Sequence, residues 1–273
     1  MNKFYIQIAL FLLSIFAYAN NETLAAEHAR GKARNPKTRY PTSEKTFIKN
    51  PNRLYTDSIE ARQATNLTNY AAQHLQNYIK SNDYYKCITT DYPNDNMTYY
   101  KKKRCGNNNL KKITYRFENP KMYNSVINRL WDLNHKTIFD TSDVERKIVR
   151  VYNPNLVIIQ KRYKSCLGCQ KKYYYAVAAK IKVSENVTII AMASADINDH
   201  HPSQNKYENH VLGSGNSLTT EINSENDIRE GKLKKTFLNV GGYYIEKKYD
   251  SYINVAYFES INERPIVNED ELY

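Results

Sequence analysis

Cys166-Leu167-Gly168-Cys169 is the spacing best suited to chemistry in this 273-residue chain. A C-x-x-C pair runs thiol–disulfide exchange when it opens a helix, and it supplies two of the four thiolates of a zinc site when a second pair is present. Here it falls in a turn between two β-segments, and no second C-x-x-C or H-x₃-H completes a metal site. A local disulfide or two free thiols is the reading that remains. Asp199-His200-His201 offers metal-ligand types, but adjacent side chains diverge on extended backbone and Pro202 follows directly, so these read as loop residues. Gly213-Ser214-Gly215 lacks the spacing of a nucleophile elbow. No P-loop, G-x-G-x-x-G or H-E-x-x-H occurs. Six histidines leave few groups for acid–base work. The expectation is a binding protein, not an enzyme, with no cofactor and no metal.

The residues suited to binding are aromatic and small, and they sit on β-segments. Tyr173, Tyr175, Met192, Ala193, Tyr243, Tyr244, Val255 and Tyr257 form either an ordinary core or an apolar cavity with tyrosine hydroxyls as polar handles. Arg162 shares strand parity with Leu156 and Ile158. A buried arginine needs an anionic partner, which a lipid phosphate supplies with bidentate geometry. Near the end of its strand, Arg162 can equally reach solvent, and the residues leave both readings open. The candidate lining is Arg162, Tyr173, Tyr175, Met192, Tyr243 and Tyr257.

The elements that must position them are legible from turn signals. Val144 to Asp196 reads as four long β-segments, broken at Asn153-Pro154-Asn155, at Ser165 to Lys171 and at Ser184-Glu185-Asn186. Connections this short join antiparallel neighbours, because a parallel crossover needs a dozen residues or more. Tyr173 to Val183 extends roughly 35 Å, and a sheet of long twisted strands curls into a trough. Before it, Ala64, Leu67, Ala71, Leu75, Tyr78 and Ile79 recur at helical spacing after the N-cap Asp57, predicting a helix over Ser58 to Lys80. A hairpin over Tyr84 to Cys105 and a strand from Leu110 to Phe117 follow. Asn119-Pro120 then opens a second helix with the stripe Tyr123, Val126, Ile127, Leu130 and Trp131. Asp227 to Lys234 reads as a short helical turn. Thr236 to Tyr249, bulged or bent at Gly241-Gly242, and Ser251 to Ile261 close the fold. The class is α+β with one large curved antiparallel sheet.

Met1 to Ala19 combines a basic start, a short apolar run and an Ala17-Tyr18-Ala19 cleavage pattern, and reads as a secretory signal peptide. Its apolar run is shorter than the roughly 20 residues of a spanning helix, and no later segment is apolar enough to span. Residues 20–55, with Pro36, Pro41 and Pro51, read as a disordered basic leader, 56–266 as the folded domain, and 267–273 as a short acidic tail. The net charge is +12, which favours anionic lipid surfaces or acidic proteins; nucleic acid is not expected of a secreted chain. Lys101-Lys102-Lys103-Arg104 and the group Lys232, Lys234 and Lys235 are the basic patches expected to meet a membrane. Cys87 and Cys105 lie on two paired segments, and sequence does not fix their connectivity.

Several blocks together resemble the fam-a proteins of rodent malaria parasites: Met1 to Asn21, Tyr40 to Glu44, Arg146 to Gln160, Met192 to Ile197, and Gly231 to Lys248. The resemblance runs through nearly the whole chain. It implies a START-type lipid-transfer domain of helix-grip fold: a helix, three strands, helices, six strands and a closing C-terminal helix. It further implies a monomer with a hydrophobic tunnel for one lipid, phosphatidylcholine, acting after secretion and export to the infected red cell or the vacuole around the parasite. Two departures stand out. The Trp-Pro-Trp-like lid loop of that family is replaced by Cys166 to Lys171. The closing helix is expected to be missing, since only Val267 to Tyr273 follow the last strand and turn. Weaker lipid retention would follow. A transfer-inactive module that binds a host membrane or protein is the runner-up. A secreted hydrolase or redox protein resting on Cys166 and Cys169 is the third reading.

Overall fold

Asp57 starts the first helix as its sequence predicts: its carboxylate accepts the backbone N–H groups of Ile59 and Glu60, at 2.8 and 3.0 Å. In the computed structural model α1 runs Ser58–Lys80 and buries Ala64, Leu67, Ala71, Ala72 and Leu75. Its far end is capped by Lys112, whose Nζ donates to Ile79 O at 2.8 Å, where the helix dipole favours a cation. The structure describes residues 44, 51–81, 85–88, 96–102, 108–133, 135–140, 143–164, 168–203, 207, 209, 211–213, 218–249 and 251–262. All of these fall in one compact unit, Arg39–Tyr273. The signal-peptide, acidic-tail and closing-helix readings therefore lie outside the described residues. Pro51–Arg53, expected in the leader, form a 3₁₀ turn, and Leu54 bridges Val151.

The strands are β1 (Tyr85–Ile88), β2 (Met97–Lys102), β3 (Asn108–Phe117), β4 (Val144–Asn153), β5 (Leu156–Tyr163), β6 (Lys172–Lys182), β7 (Val187–Ala193), β8 (Asp196–Asn198), β9 (Thr219–Glu221), β10 (Lys234–Lys235), β11 (Phe237–Lys248) and β12 (Tyr252–Asn262). Helix α2 is Tyr123–Trp131, entered through a 3₁₀ turn at Pro120–Met122 that Asn119 caps, and α3 is Asn226–Arg229. One sheet takes the order β1-β2-β3-β12-β11-β7-β6-β5-β4, antiparallel along this path; β10 adds to β6 in parallel, and β8 pairs with β9 separately. The expected α+β class with one large antiparallel sheet is what forms. Two details differ. The register slip in β11 lies between Leu238 and Val240, not at the glycines, which keep register with Glu259 and Phe258. The register of β1 with β2 sets Tyr100, not Cys105, opposite Cys87.

Both faces of the sheet are apolar and both are covered. The outer face carries Ile158, Val177, Ile189, Ala191, Val240 and Phe258, packed beneath α1. The inner face carries Ile113, Val157, Ile159, Ala176, Ala178, Ile190, Ile245 and Val255, and it packs against Val126, Ile127, Leu130 and Trp131 of α2 and against Leu133 and Phe139. Leu133 and residues 135–140 thus form a strap over the inner face. Leu67, Ala71 and Leu75 let α1 lie close, and beside Leu75 the backbone of Gly242 adopts φ +133°. The curl is set by the same strands. Lys161 on β5 meets Glu259 on β12 at 2.5 Å, although these strands stand four apart in the sheet order, about 19 Å if it were flat. Past the end of β7, β10 pairs directly with β6 and draws this end of the sheet together.

Candidate functional site

At the end of the inner face where β5 stops and β6 begins, charge is buried in an otherwise apolar wall. Arg146 and Lys161 are directly opposed across β4 and β5, Lys161 and Tyr174 across β5 and β6, and Lys111 and Glu259 across β3 and β12. Alternation along each strand therefore delivers all five side chains to one face. Arg146 grips Asp140 of the strap with both guanidinium nitrogens, and both side chains are almost wholly buried. Asp140 also accepts Thr137 N at 2.8 Å and Thr137 Oγ1 at 3.1 Å, and Thr137 Oγ1 lies 3.4 Å from the Tyr243 hydroxyl. Glu259 accepts Lys161 Nζ and, at 3.1 Å, the Tyr174 hydroxyl. Lys111 Nζ donates to Phe139 O at 2.9 Å and stands 5.6 Å from the Tyr257 ring centre. The Lys161 ammonium stands 5.5 Å from the Tyr174 ring centre and 5.7 Å from that of Tyr163.

The electrostatics follow from burial working against pairing. Burial pushes Glu259 up, but the charge and hydrogen bond of Lys161 outweigh it and hold the carboxyl below its usual value. Burial likewise raises Asp140, and Arg146 more than reverses that. Lys111 is lowered by burial, against the attraction of Glu259. Burial takes Tyr243 up to about 12, and burial reinforced by Glu259 takes Tyr174 and Tyr257 well above the usual range. The cluster sets three basic side chains, Lys111, Arg146 and Lys161, against two carboxylates, Asp140 and Glu259. Such a set can accept an anionic group between Arg146 and Lys161, while the faces of Tyr174, Tyr243 and Tyr257 can accept a cation. A small cavity of about 10 Å³ touches Arg146, Lys161, Tyr174, Met192, Tyr243 and Glu259. That is room for about one water molecule.

The sequence-predicted lining divides between the two faces. Met192, Tyr243 and Tyr257 are on the inner face with this cluster. Tyr173 and Tyr175 are on the outer face. There the Tyr173 hydroxyl donates to Asp199 at 2.7 Å, and the Tyr175 hydroxyl accepts from Gln160 at 2.7 Å. Arg162 is ion-paired within the protein and partly exposed: its guanidinium clasps Asp227 at 2.6 and 3.1 Å and reaches Glu225 at 3.1 Å. The buried arginine of the inner face is Arg146, and Lys161 and Glu259 were also missed. Parity could have signalled Lys161, which alternates with Val157 and Ile159, but β5 is apolar on both faces and hides its own period. Of the expected basic patch, Lys235 turns inward to Asp199 at 2.6 Å and Lys232 pairs with Glu230 at 2.5 Å. His200 meets Glu221 at 2.9 Å while His201 meets Leu233 O at 3.0 Å, so the two rings take separate partners. Cys169 is disulfide-bonded. Among the described residues no helix is long and apolar enough to cross a membrane.

No family model and no curated protein matches the chain. Among solved structures it is similar to the human StAR-related lipid transfer protein 5, at 9% identity and a TM-score of 0.49, covering 76% of this chain and 86% of that one. It is similar to human STARD10, at 13% identity and a TM-score of 0.46, covering 72% and 68%. A third is the lipid transfer and protein localization domain of human StarD13, at 16% identity and a TM-score of 0.44, covering 70% and 82%. At these identities and scores the likeness is left as a resemblance, and function rests on the side chains.

Proposed function

We propose that this chain is a non-enzymatic carrier that holds one phospholipid against the inner face of its sheet and moves it between membranes. The observation that carries the reading is the buried cluster of Arg146, Lys161 and Glu259, walled by tyrosines, at one end of an apolar surface. Taking each ion out of water costs several kcal/mol, and such groups are expected where a ligand needs them. Once the site opens, Arg146 and Lys161 offer the hydrogen bonds and charge that suit a phosphate, and the tyrosine faces suit a quaternary ammonium. The two together favour phosphatidylcholine. Its chains would lie along Ile113, Ile159, Ala176, Ala178 and Ile190. Desolvating a chain of about sixteen carbons returns about 12 kcal/mol at about 0.8 per CH₂, which a carrier must match. The cavity of about 10 Å³ is far smaller than a lipid, so α2 and residues 135–140 must move outward to admit one and settle back over it.

We also propose that the protein is a secreted monomer of the fam-a type, exported toward the host cell, with its remaining basic surface against a membrane. The signal-like Met1 to Ala19 and the disulfide at Cys169 support an oxidising route. The small cavity also supports a second reading, a module without transfer activity that binds a membrane or protein surface. Mass spectrometry of lipid extracted from the purified protein after incubation with phosphatidylcholine vesicles separates the two. The carrier reading expects about one phospholipid per chain, and less in Lys161→Met. Protein that returns lipid-free from the vesicles would leave the second reading.

A further inference from the structure

Trp131 is the single tryptophan of the chain and is 1% exposed. Its indole Nε1–H has no hydrogen-bond partner among the described residues. A buried donor left unpaired is costly, and such groups in a folded protein call for an explanation. The stripe Tyr123, Val126, Ile127, Leu130 and Trp131 is one face of α2, and all five belong to the inner-face core, so the indole is on the side that meets the sheet.

Its position along that face is informative. At the start of α2 the Tyr123 hydroxyl donates to Thr188 on β7 at 3.1 Å. After α2 the chain brings Thr137 to the Tyr243 hydroxyl, Phe139 against the rings of Tyr243 and Tyr257, and Asp140 onto Arg146. The nine residues of α2 span about 13 Å, close to the four strand steps from Thr188 to Met192. The helix thus travels from the apolar end of the inner face toward the charged end. Trp131 is the last residue of α2, at the end of the helix nearer the charged cluster. An indole N–H donates once, accepts nothing and carries no charge. It suits a neutral carbonyl better than a phosphate, which Arg146 and Lys161 already suit. In a diacyl phospholipid with its headgroup at those cations, the ester carbonyls lie toward this end of the helix.

We infer that Trp131 is the donor that reads a glycerol ester carbonyl, making the site selective for diacyl over dialkyl-ether phospholipids. This rests on the phospholipid reading above. The test is competition between dipalmitoyl phosphatidylcholine and its dihexadecyl ether analogue for the full-length protein, with bound lipid quantified by mass spectrometry. The wild type should prefer the diacyl lipid about five- to tenfold, the usual effect of one hydrogen bond. Trp131→Phe, which keeps an aromatic ring without the donor, should bind both at the ether level. A wild type that loads both lipids equally, or a Phe variant that keeps the preference, overturns this inference and leaves the carrier reading intact. A protein that loads neither overturns both. Emission of Trp131 in the wild type gives a readout that does not depend on the variant folding: loading with the diacyl lipid should shift its maximum, and an identical shift with the ether lipid would also overturn the inference.

Discussion

Glu259 and Asp140 show what a buried carboxylate requires. Each is raised by burial and lowered further by its cation, so each ends below its usual value. A carboxyl whose folded pKa is depressed adds stability that is fully present above its unfolded pKa. That stability is lost as pH falls through the folded value. Thermal stability is therefore expected to hold from about pH 7 to about pH 5 and to fall below about pH 4. The double substitution Lys161→Met with Glu259→Met removes one such group together with its closest partner, and Lys111 keeps its hydrogen bond to Phe139 O. Replacing one partner alone would strand the other, at about 3–5 kcal/mol. In the double variant the acid slope should be shallower by up to one proton, about 1.4 kcal/mol per pH unit. Melting curves collected across this range would contradict the assignment if the two proteins had the same acid slope.

At the scale of elements, the close approach of β7 to β11 beneath α1 depends on one backbone position. Gly242 has φ +133°, and a Cβ built there would stand 1.9 Å from Ile190 O on the neighbouring strand and 3.2 Å from Leu75 of α1. Gly231 also has positive φ, +67°, but a Cβ there meets only Pro202 at 3.4 Å. Gly242→Ala should therefore cost about 3 kcal/mol or more, and Gly231→Ala about 1, as read by urea denaturation. Equal costs would mean that the β7 backbone does not approach Gly242 of β11 as described. The elements themselves were legible because their ends carry chemistry: Asp57, Asn119-Pro120, Asn153-Pro154-Asn155 and Ser184-Glu185-Asn186 each cap or turn the chain. Their faces were harder to read. Tyr173-Tyr174-Tyr175 sends one ring inward and two outward, and parity cannot name the inner face when both faces are apolar. Glu259 and Lys161 are 98 residues apart, and their meeting depends on the curl of the whole sheet, which no local pattern encodes. Arg162 was recognised as an arginine needing an anion, but its anions, Glu225 and Asp227, come from a segment whose fold depends on the sheet beneath it.

For the molecule as a whole, charge and burial act on different ligand contacts. The formal charge of +12 exceeds by far the single net positive charge of the inner cluster, so most of the excess lies elsewhere in the chain. A lysine near an anionic leaflet contributes about 1 kcal/mol, and this attraction weakens as the Debye length contracts from about 8 Å at 0.15 M salt to about 3 Å at 1 M. Lys235 is withdrawn from that surface by Asp199, and Lys232 is engaged by Glu230. Lysine pairing in the folded protein thus reduces what the sequence alone would assign to this patch. A phospholipid on the inner face is held differently, by chain burial and by ions enclosed in the protein, which bulk salt screens much less. Raising salt from about 0.05 to about 0.5 M should lower partitioning onto anionic vesicles by at least about tenfold, while phosphatidylcholine already carried by the protein stays within about twofold. Vesicle flotation reads the first quantity, and lipid retained after gel filtration reads the second. If retained lipid fell in step with vesicle binding, the lipid would be at the charged surface and the inner face would be an ordinary core.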